Sequence, residues 1–143
     1  MKDRFKHFYM GLALDCAAMS SAVKLKVGAI IVKDHRIISH SWNGTPSGWS
    51  NTCEDDNGMT LPEVAHAEEN SISKLARCHD SAVGSTVFIT HSPCFVCSRL
   101  LFNAGVVKVY YRTHYRDTTG IDFLRKCGVE VEQLSDLEES QAA

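Results

Sequence analysis

Two short stretches decide the fold of this chain, His66-Ala67-Glu68 and Pro93-Cys94-Phe95-Val96-Cys97. Histidine and cysteine side chains are the usual ligands of zinc, and cysteines three residues apart lie on one face of a helix. His66 and Glu68 are only two residues apart, so they converge only if His66 stands at the very start of a helix, where the backbone is not yet regular. The stretches therefore predict two helix starts that meet at one end of a sheet.

Hydrophobic patterns around these stretches predict an α/β fold. The expected elements, in residue numbers, are helices at 5–19, 65–78, 94–104 and 117–127, and strands at 27–32, 37–42, 85–90, 106–111 and 129–131. The first two strands flank a polar turn and should pair as an antiparallel hairpin. The later strands alternate with helices and should run parallel. We expect a single three-layer α/β/α domain over 1–143, with a mixed five-stranded sheet and an acidic tail from about residue 133.

The bulk composition narrows the class of protein. The chain has 143 residues, 44% of them hydrophobic, which suits one soluble domain with a real core. We expect neither a membrane span nor a signal peptide, and hence a cytoplasmic location, or the host cytoplasm for a viral protein. The net charge of −2 argues against a nucleic acid partner and favours a small phosphorylated substrate. The six cysteines are expected to be metal ligands and core thiols rather than disulfides.

Three kinds of site are compatible with the paired cysteines. A redox C-x-x-C leaves the histidine and the glutamate unexplained, and a structural zinc needs a fourth ligand, which Cys53 or Cys78 would have to supply. A catalytic zinc keeps a position open for water and uses an acid–base carboxylate beside it. This is the H-x-E and P-C-x-x-C signature of nucleobase deaminases, with one Zn²⁺ per chain. The three zinc ligands and the acid–base group would be His66, Cys94, Cys97 and Glu68.

Over residues 5–134 the chain resembles the deoxycytidylate (dCMP) deaminases. The stretches that carry the resemblance are Lys26–Val32, Ser41–Gly48, His66–Asn70, Ser92–Cys97, Tyr110-Tyr111 and Tyr115–Asp117. All cytidine-deaminase-like enzymes share the zinc motifs, whereas the Asn-Gly-x-Pro-x-Gly loop at 43–48 is typical of the dCMP group. The resemblance implies a cytidine-deaminase-like fold and hydrolysis of dCMP to dUMP and ammonia, which feeds thymidylate synthesis.

The resemblance also implies substrate contacts at four residues: Asn43, Ser92, Tyr115 and Arg116. The last two would lie near the phosphate, which arginine binds bidentately. The alternative for them is a surface turn after a strand. Two other activities stay open, a deaminase that also accepts dCTP and one that acts on tRNA or single-stranded nucleic acid. A non-catalytic zinc module is a further alternative, but it would have no use for Glu68.

Family members resembling this chain are commonly hexamers that dCTP activates and dTTP inhibits. The effector site implied by the resemblance lies near the Asn-Gly loop, with four candidate residues: Lys24, Lys26, Trp42 and Gly44. The family loop usually reads Gly-Tyr-Asn-Gly, and this chain has Ser41-Trp42-Asn43-Gly44, so regulation stays open. Some phage members carry a second, structural zinc on paired cysteines near the first strand. Here Ser20 and Ser21 occupy that region, and a second zinc is not expected.

Overall fold

The structure, a computed structural model, describes residues 1–135, so the acidic tail predicted from about residue 133 lies almost wholly outside the described residues. Its elements are α1 (Asp3–Ala18), β1 (Gly28–Lys33), β2 (Arg36–Trp42), α2 (Ala67–Leu75), β3 (Thr86–His91), α3 (Phe95–Asn103), β4 (Lys108–Thr113), α4 (Thr119–Lys126) and β5 (Glu130–Gln133). The predicted order is confirmed, with bounds that move by up to three residues. The largest correction shortens the second helix, which ends at Leu75 and not at Cys78.

The strands form one five-stranded sheet in the order β2-β1-β3-β4-β5. β1 pairs antiparallel with β2 and with β3, whereas β3, β4 and β5 pair in parallel. The predicted mixed sheet is thus confirmed. Asp34 and His35 adopt φ values of 50° and 60° in the turn that joins β1 to β2, as tight hairpin turns require. Because β2 and β3 both run opposite to β1, the helices that follow them, α2 and α3, begin at the same end of the sheet.

Hydrophobic residues of the sheet alternate between two cores, one on each face. Ile31, Val87 and Val109 belong to the core that includes residues of α2, α3 and α4. Their neighbours along the strands, including Phe88 and Tyr110, belong to the core beneath α1. Successive side chains of a strand point to opposite faces, so the two clusters confirm the three-layer arrangement. Within residues 1–135, no helix has the length and hydropathy needed to cross a bilayer.

A close approach of α1 to β1 depends on Gly28. A Cβ at this position would collide with the carbonyl oxygen of Ala13 and the backbone nitrogen of Ala17. Its backbone N–H donates to Thr90 Oγ1 at 3.1 Å, which joins β1 to the end of β3. Glycine at this position therefore lets α1 pack directly against the start of β1.

Candidate metal centre and its cavity

The start of α2 is held against the loop that follows β2. His66 is the N-cap of α2, with an extended backbone at φ −69° and ψ 159°. Its N–H donates to Glu69 Oε1 at 3.0 Å, as in a capping box. One residue earlier, Ala65 pairs with Gly44 through two backbone hydrogen bonds of 2.9 and 3.1 Å. The predicted position of His66 at the helix start is confirmed, and both His66 and Glu68 line one cavity.

The start of α3 presents its two cysteines in a similar way. Cys94 is the N-cap, with φ −69° and ψ 170°, one position before the first helical turn in which it was predicted to lie. The backbone N–H of Cys97 donates to Cys94 Sγ at 3.4 Å. An N-cap side chain accepts such bonds because the first amides of a helix have no partner within it. The same positive helix end favours a thiolate at Cys94.

Donor atoms of the two helix starts meet at a spacing that fits one zinc ion. His66 Nδ1 lies 3.3 Å from Cys97 Sγ and 3.7 Å from Cys94 Sγ, and the donor atoms all lie within 4.8 Å of one another. Ordinary Zn–N and Zn–S bonds in a tetrahedral site place nitrogen and sulfur ligands about 3.6 Å apart. Cys53 and Cys78 lie outside this group in the described part of the chain, which argues against a four-ligand structural zinc.

The three donor side chains shift one another's pKa values. Hydrogen bonds from Cys97 and His66 lower the pKa of the Cys94 thiol to about 4. The hydrogen bond to Cys94 raises the pKa of His66 to about 9, although burial opposes it. The hydrogen bond to Cys94, followed by burial, raises the pKa of the Cys97 thiol. A bound zinc would replace the protons of His66 and Cys97, since metal ligands must be deprotonated.

Glu68 is a buried carboxyl beside the donor group. The residue as a whole is 4% exposed, and burial raises the pKa of its carboxyl to about 7. Two hydroxyl groups hold the first turn of α2 in place. Ser71 Oγ donates to the Glu68 carbonyl oxygen at 2.9 Å, and Ser41 Oγ donates to the carbonyl oxygen of Ala67. A carboxyl with a pKa close to neutrality can both accept and return a proton at working pH.

A cavity of about 580 Å³ opens beside Glu68 and two residues of the donor group, His66 and Cys94. Several residues assigned from the sequence line it: His66, Glu68, Cys94, Asn43, Ser92, Tyr115, Arg116 and Lys24. The other candidate effector residues, Lys26, Trp42 and Gly44, lie outside its lining. Trp42 instead packs near Lys74, whose Nζ is 5.5 Å from the ring centroid. Of the four effector candidates, Lys24 alone lines the cavity.

Asn43 and Ser92 already hold the walls of this cavity. Asn43 Oδ1 accepts the N–H of Val27 at 2.9 Å, and its Nδ2 donates to the Leu25 carbonyl at 2.8 Å. Ser92 Oγ accepts the N–H of Tyr115 at 2.7 Å. Each side chain thus fixes a neighbouring backbone segment, while Asn43 keeps one amide hydrogen and Ser92 keeps its hydroxyl hydrogen for another partner.

Comparison with known proteins decides the family. Residues 3–113 match the family model described as the cytidine and deoxycytidylate deaminase zinc-binding region. The chain belongs to the cytidine and deoxycytidylate deaminase family. The matched family region binds zinc, and this chain brings a His/Cys/Cys donor group together there. Zinc is therefore the cofactor of this family member.

Individual relatives of this family member include phage and yeast enzymes. It is 30% identical to the deoxycytidylate deaminase of Mycobacterium phage D29 over 73% of its own length and 91% of that protein. It is 31% identical to the Saccharomyces cerevisiae deoxycytidylate deaminase over 97% of its own length, and spans 47% of the yeast protein. The crystal structure of dCMP deaminase from cyanophage S-TIM5 in complex with dCMP and dUMP matches with a TM-score of 0.91 and 50% identity, covering 94% of this chain and 99% of that one.

The polar cavity residues of this family member that were not assigned from the sequence include Glu54, His91 and His114. His91 precedes Ser92 directly, and its ring meets the edge of Tyr115 at a centroid distance of 6.3 Å and an angle of 74°. Burial lowers the pKa of His91, which favours its neutral form. Their position in the sequence could have indicated them. His91 and His114 directly precede the assigned residues Ser92 and Tyr115, and Glu54 lies in the loop that leads to His66.

Proposed function

We propose that this chain is a zinc-dependent hydrolase that converts dCMP to dUMP and ammonia and so supplies dUMP for thymidylate synthesis. The observation that carries the proposal is the His/Cys/Cys donor group with the buried carboxyl of Glu68 beside it in a nucleotide-sized cavity. Support comes from relatives in phage D29 and yeast that are deoxycytidylate deaminases, and from the S-TIM5 enzyme, which binds dCMP and dUMP.

The zinc ligands and Glu68 have separate roles in the proposed reaction. One zinc per chain, held by His66, Cys94 and Cys97, would lower the pKa of a bound water towards about 7 and supply a nucleophile at neutral pH. Glu68 accepts the proton of the attacking water and passes it to the ring nitrogen of cytosine. It then helps to protonate the departing amine, so that water and dCMP become dUMP and ammonia. A carboxyl with a pKa of about 7 suits both directions of transfer.

Substrate binding is proposed for the cavity walls. Arg116 and Tyr115 bind the phosphate, since a guanidinium pairs bidentately with phosphate oxygens. Ser92 and Asn43 direct their remaining hydrogens towards the nucleotide. Burial of the base among these groups would exclude water from the reacting carbon. Ser92 also connects the metal end of the cavity with the phosphate end, because its Oγ accepts the N–H of Tyr115.

A panel of substrates tests the proposed activity. We expect kcat/KM for dCMP to exceed that for deoxycytidine by about 100-fold, because charge-assisted hydrogen bonds to the phosphate are worth about 1.5–3 kcal/mol each. The panel also contains dCTP, cytidine and a single-stranded oligonucleotide, with zinc content measured in the same preparation. Equal turnover of deoxycytidine and dCMP would contradict the phosphate site, and preferred turnover of the oligonucleotide would favour the nucleic acid alternative.

Arg116→Gln tests the phosphate contact directly. We expect the KM for dCMP to rise by about 10- to 100-fold, since a charged bidentate partner is lost, while kcat/KM for deoxycytidine stays within about threefold of the parent. Steady-state kinetics on both substrates measure this split. Arg77→Gln is the control, because Arg77 is an exposed arginine outside the cavity lining. Equal losses on nucleotide and nucleoside would instead indicate a general structural effect of Arg116.

The proposals on regulation, assembly and location rest on the family resemblance. We propose a single-domain cytoplasmic protein that forms a homohexamer, with dCTP and dTTP as effectors near Lys26, Trp42 and Gly44. Lys24 lines the substrate cavity itself, so an effector contact there would compete with substrate. Sedimentation of the full chain, and initial rates at subsaturating dCMP with each triphosphate, test these points. A monomer with hyperbolic, effector-independent kinetics would overturn them.

A further inference from the structure

Glu54 is a carboxylate on the cavity wall for which the deamination steps have no use. Its Oε1 accepts the backbone N–H of Val23 at 2.9 Å and that of Lys24 at 3.1 Å. Two amide donors on one oxygen fix the orientation of the carboxylate plane. Oε2 keeps its lone pairs for another donor. A carboxylate held in this way is preorganised to accept a hydrogen bond from a ligand.

The wall that carries Glu54 is itself tied together by polar side chains. Ser20 Oγ donates to the Asn43 carbonyl at 2.8 Å and Ser21 Oγ donates to the Asn51 carbonyl at 2.7 Å. Glu54 also forms an isolated antiparallel bridge with Thr60. These bonds join the segment between α1 and β1 to the long loop after β2. The position of Glu54 is therefore set by the fold before any ligand enters.

Charge decides which part of a nucleotide can face Glu54. A phosphate beside an ionised carboxylate would be repelled, so the phosphate belongs with Arg116. The amine-bearing edge of the base belongs with Glu68 and the metal ligands. The remaining neutral donor on a 2′-deoxynucleoside 5′-phosphate is the 3′-hydroxyl. Resting on the proposed function, we propose that Glu54 recognises the sugar by accepting a hydrogen bond from the 3′-hydroxyl of dCMP.

The test compares dCMP with 2′,3′-dideoxy-CMP, which lacks this hydroxyl. The parent protein should show a kcat/KM about tenfold or more lower for the dideoxy nucleotide, as loss of a hydrogen bond to a charged group predicts. Glu54→Gln keeps an oxygen for the two backbone amides but removes the charge, so its preference for dCMP should fall to about threefold or less. Glu63→Gln, in the same loop but outside the cavity lining, should keep the parent preference.

The outcomes of this test distinguish a failure of the proposed sugar contact from a failure of the proposed function. A parent active on dCMP whose Glu54→Gln variant loses the same factor on both nucleotides would show that Glu54 only supports the wall. A parent that treats the two nucleotides alike would overturn the inference without any variant, and so the test does not depend on the variant folding. A parent inactive on dCMP but active on another panel substrate would overturn the proposed function and the sugar assignment with it.

Discussion

Glu68→Gln is expected to keep zinc and to lose nearly all turnover of dCMP. The amide has the shape of the carboxyl and fits the same buried space, but it cannot take a proton from water or return one to the departing amine. General acid–base transfer of this kind contributes about 10²–10⁴-fold to a rate. The loss should fall on kcat, because the proton is moved in the transition state and not on binding.

Measurement of kcat and zinc content on one preparation checks this expectation. Glu63→Gln is the matched control, since it removes one carboxylate from the loop that precedes α2 and lies outside the cavity lining. It should retain both zinc and activity. A Glu68→Gln enzyme within tenfold of the parent would remove Glu68 from the acid–base role. Loss of zinc from this variant would show instead that the carboxylate supports the metal.

Cys97→Ser is expected to abolish both zinc binding and activity. A serine hydroxyl is not ionised near neutral pH, so the variant would offer His66 and Cys94 alone, and catalytic zinc sites use about three protein ligands. Zinc content should fall from one ion per chain to below about 0.1, and the midpoint of thermal unfolding should fall too, since metal binding free energy contributes to folding. Elemental analysis after dialysis and a thermal unfolding scan measure these changes.

Cys78→Ser is the matched control for the metal site. Cys78 is an exposed thiol after the end of α2, and its Sγ donates to the Leu75 carbonyl at 3.5 Å. We expect full zinc content and parent activity in this variant. Zinc loss on replacing Cys78 would revive the structural four-ligand site. Burying a hydroxyl without a partner at Cys97 would itself cost stability, so Cys94→Ser at a half-buried position provides a second test of the same ligand set.

Local sequence patterns were sufficient for the order of the elements and for the three donor side chains that the structure brings together. Side-chain alternation and helical periodicity locate β3 and α3 because burial on one face repeats along the chain. The spacing of His66 and Glu68 required a helix start at His66, and the N-cap geometry agrees. Element ends were less well predicted. Val106 was expected to open β4, but its N–H donates to Leu101 at the end of α3, and the strand begins at Lys108.

The sequence by itself determined the donor chemistry, because ligand type and helical spacing are local properties carried by a few neighbouring residues. Only the tertiary structure decided which other residues face the metal site. Glu54 meets Val23 and Lys24 across about thirty residues of chain, and Ser92 meets Tyr115 across 23 residues. Loops have no periodicity from which such pairs can be inferred. The cavity wall, and with it the contact proposed for the sugar, therefore emerges only when the sheet brings distant loops together.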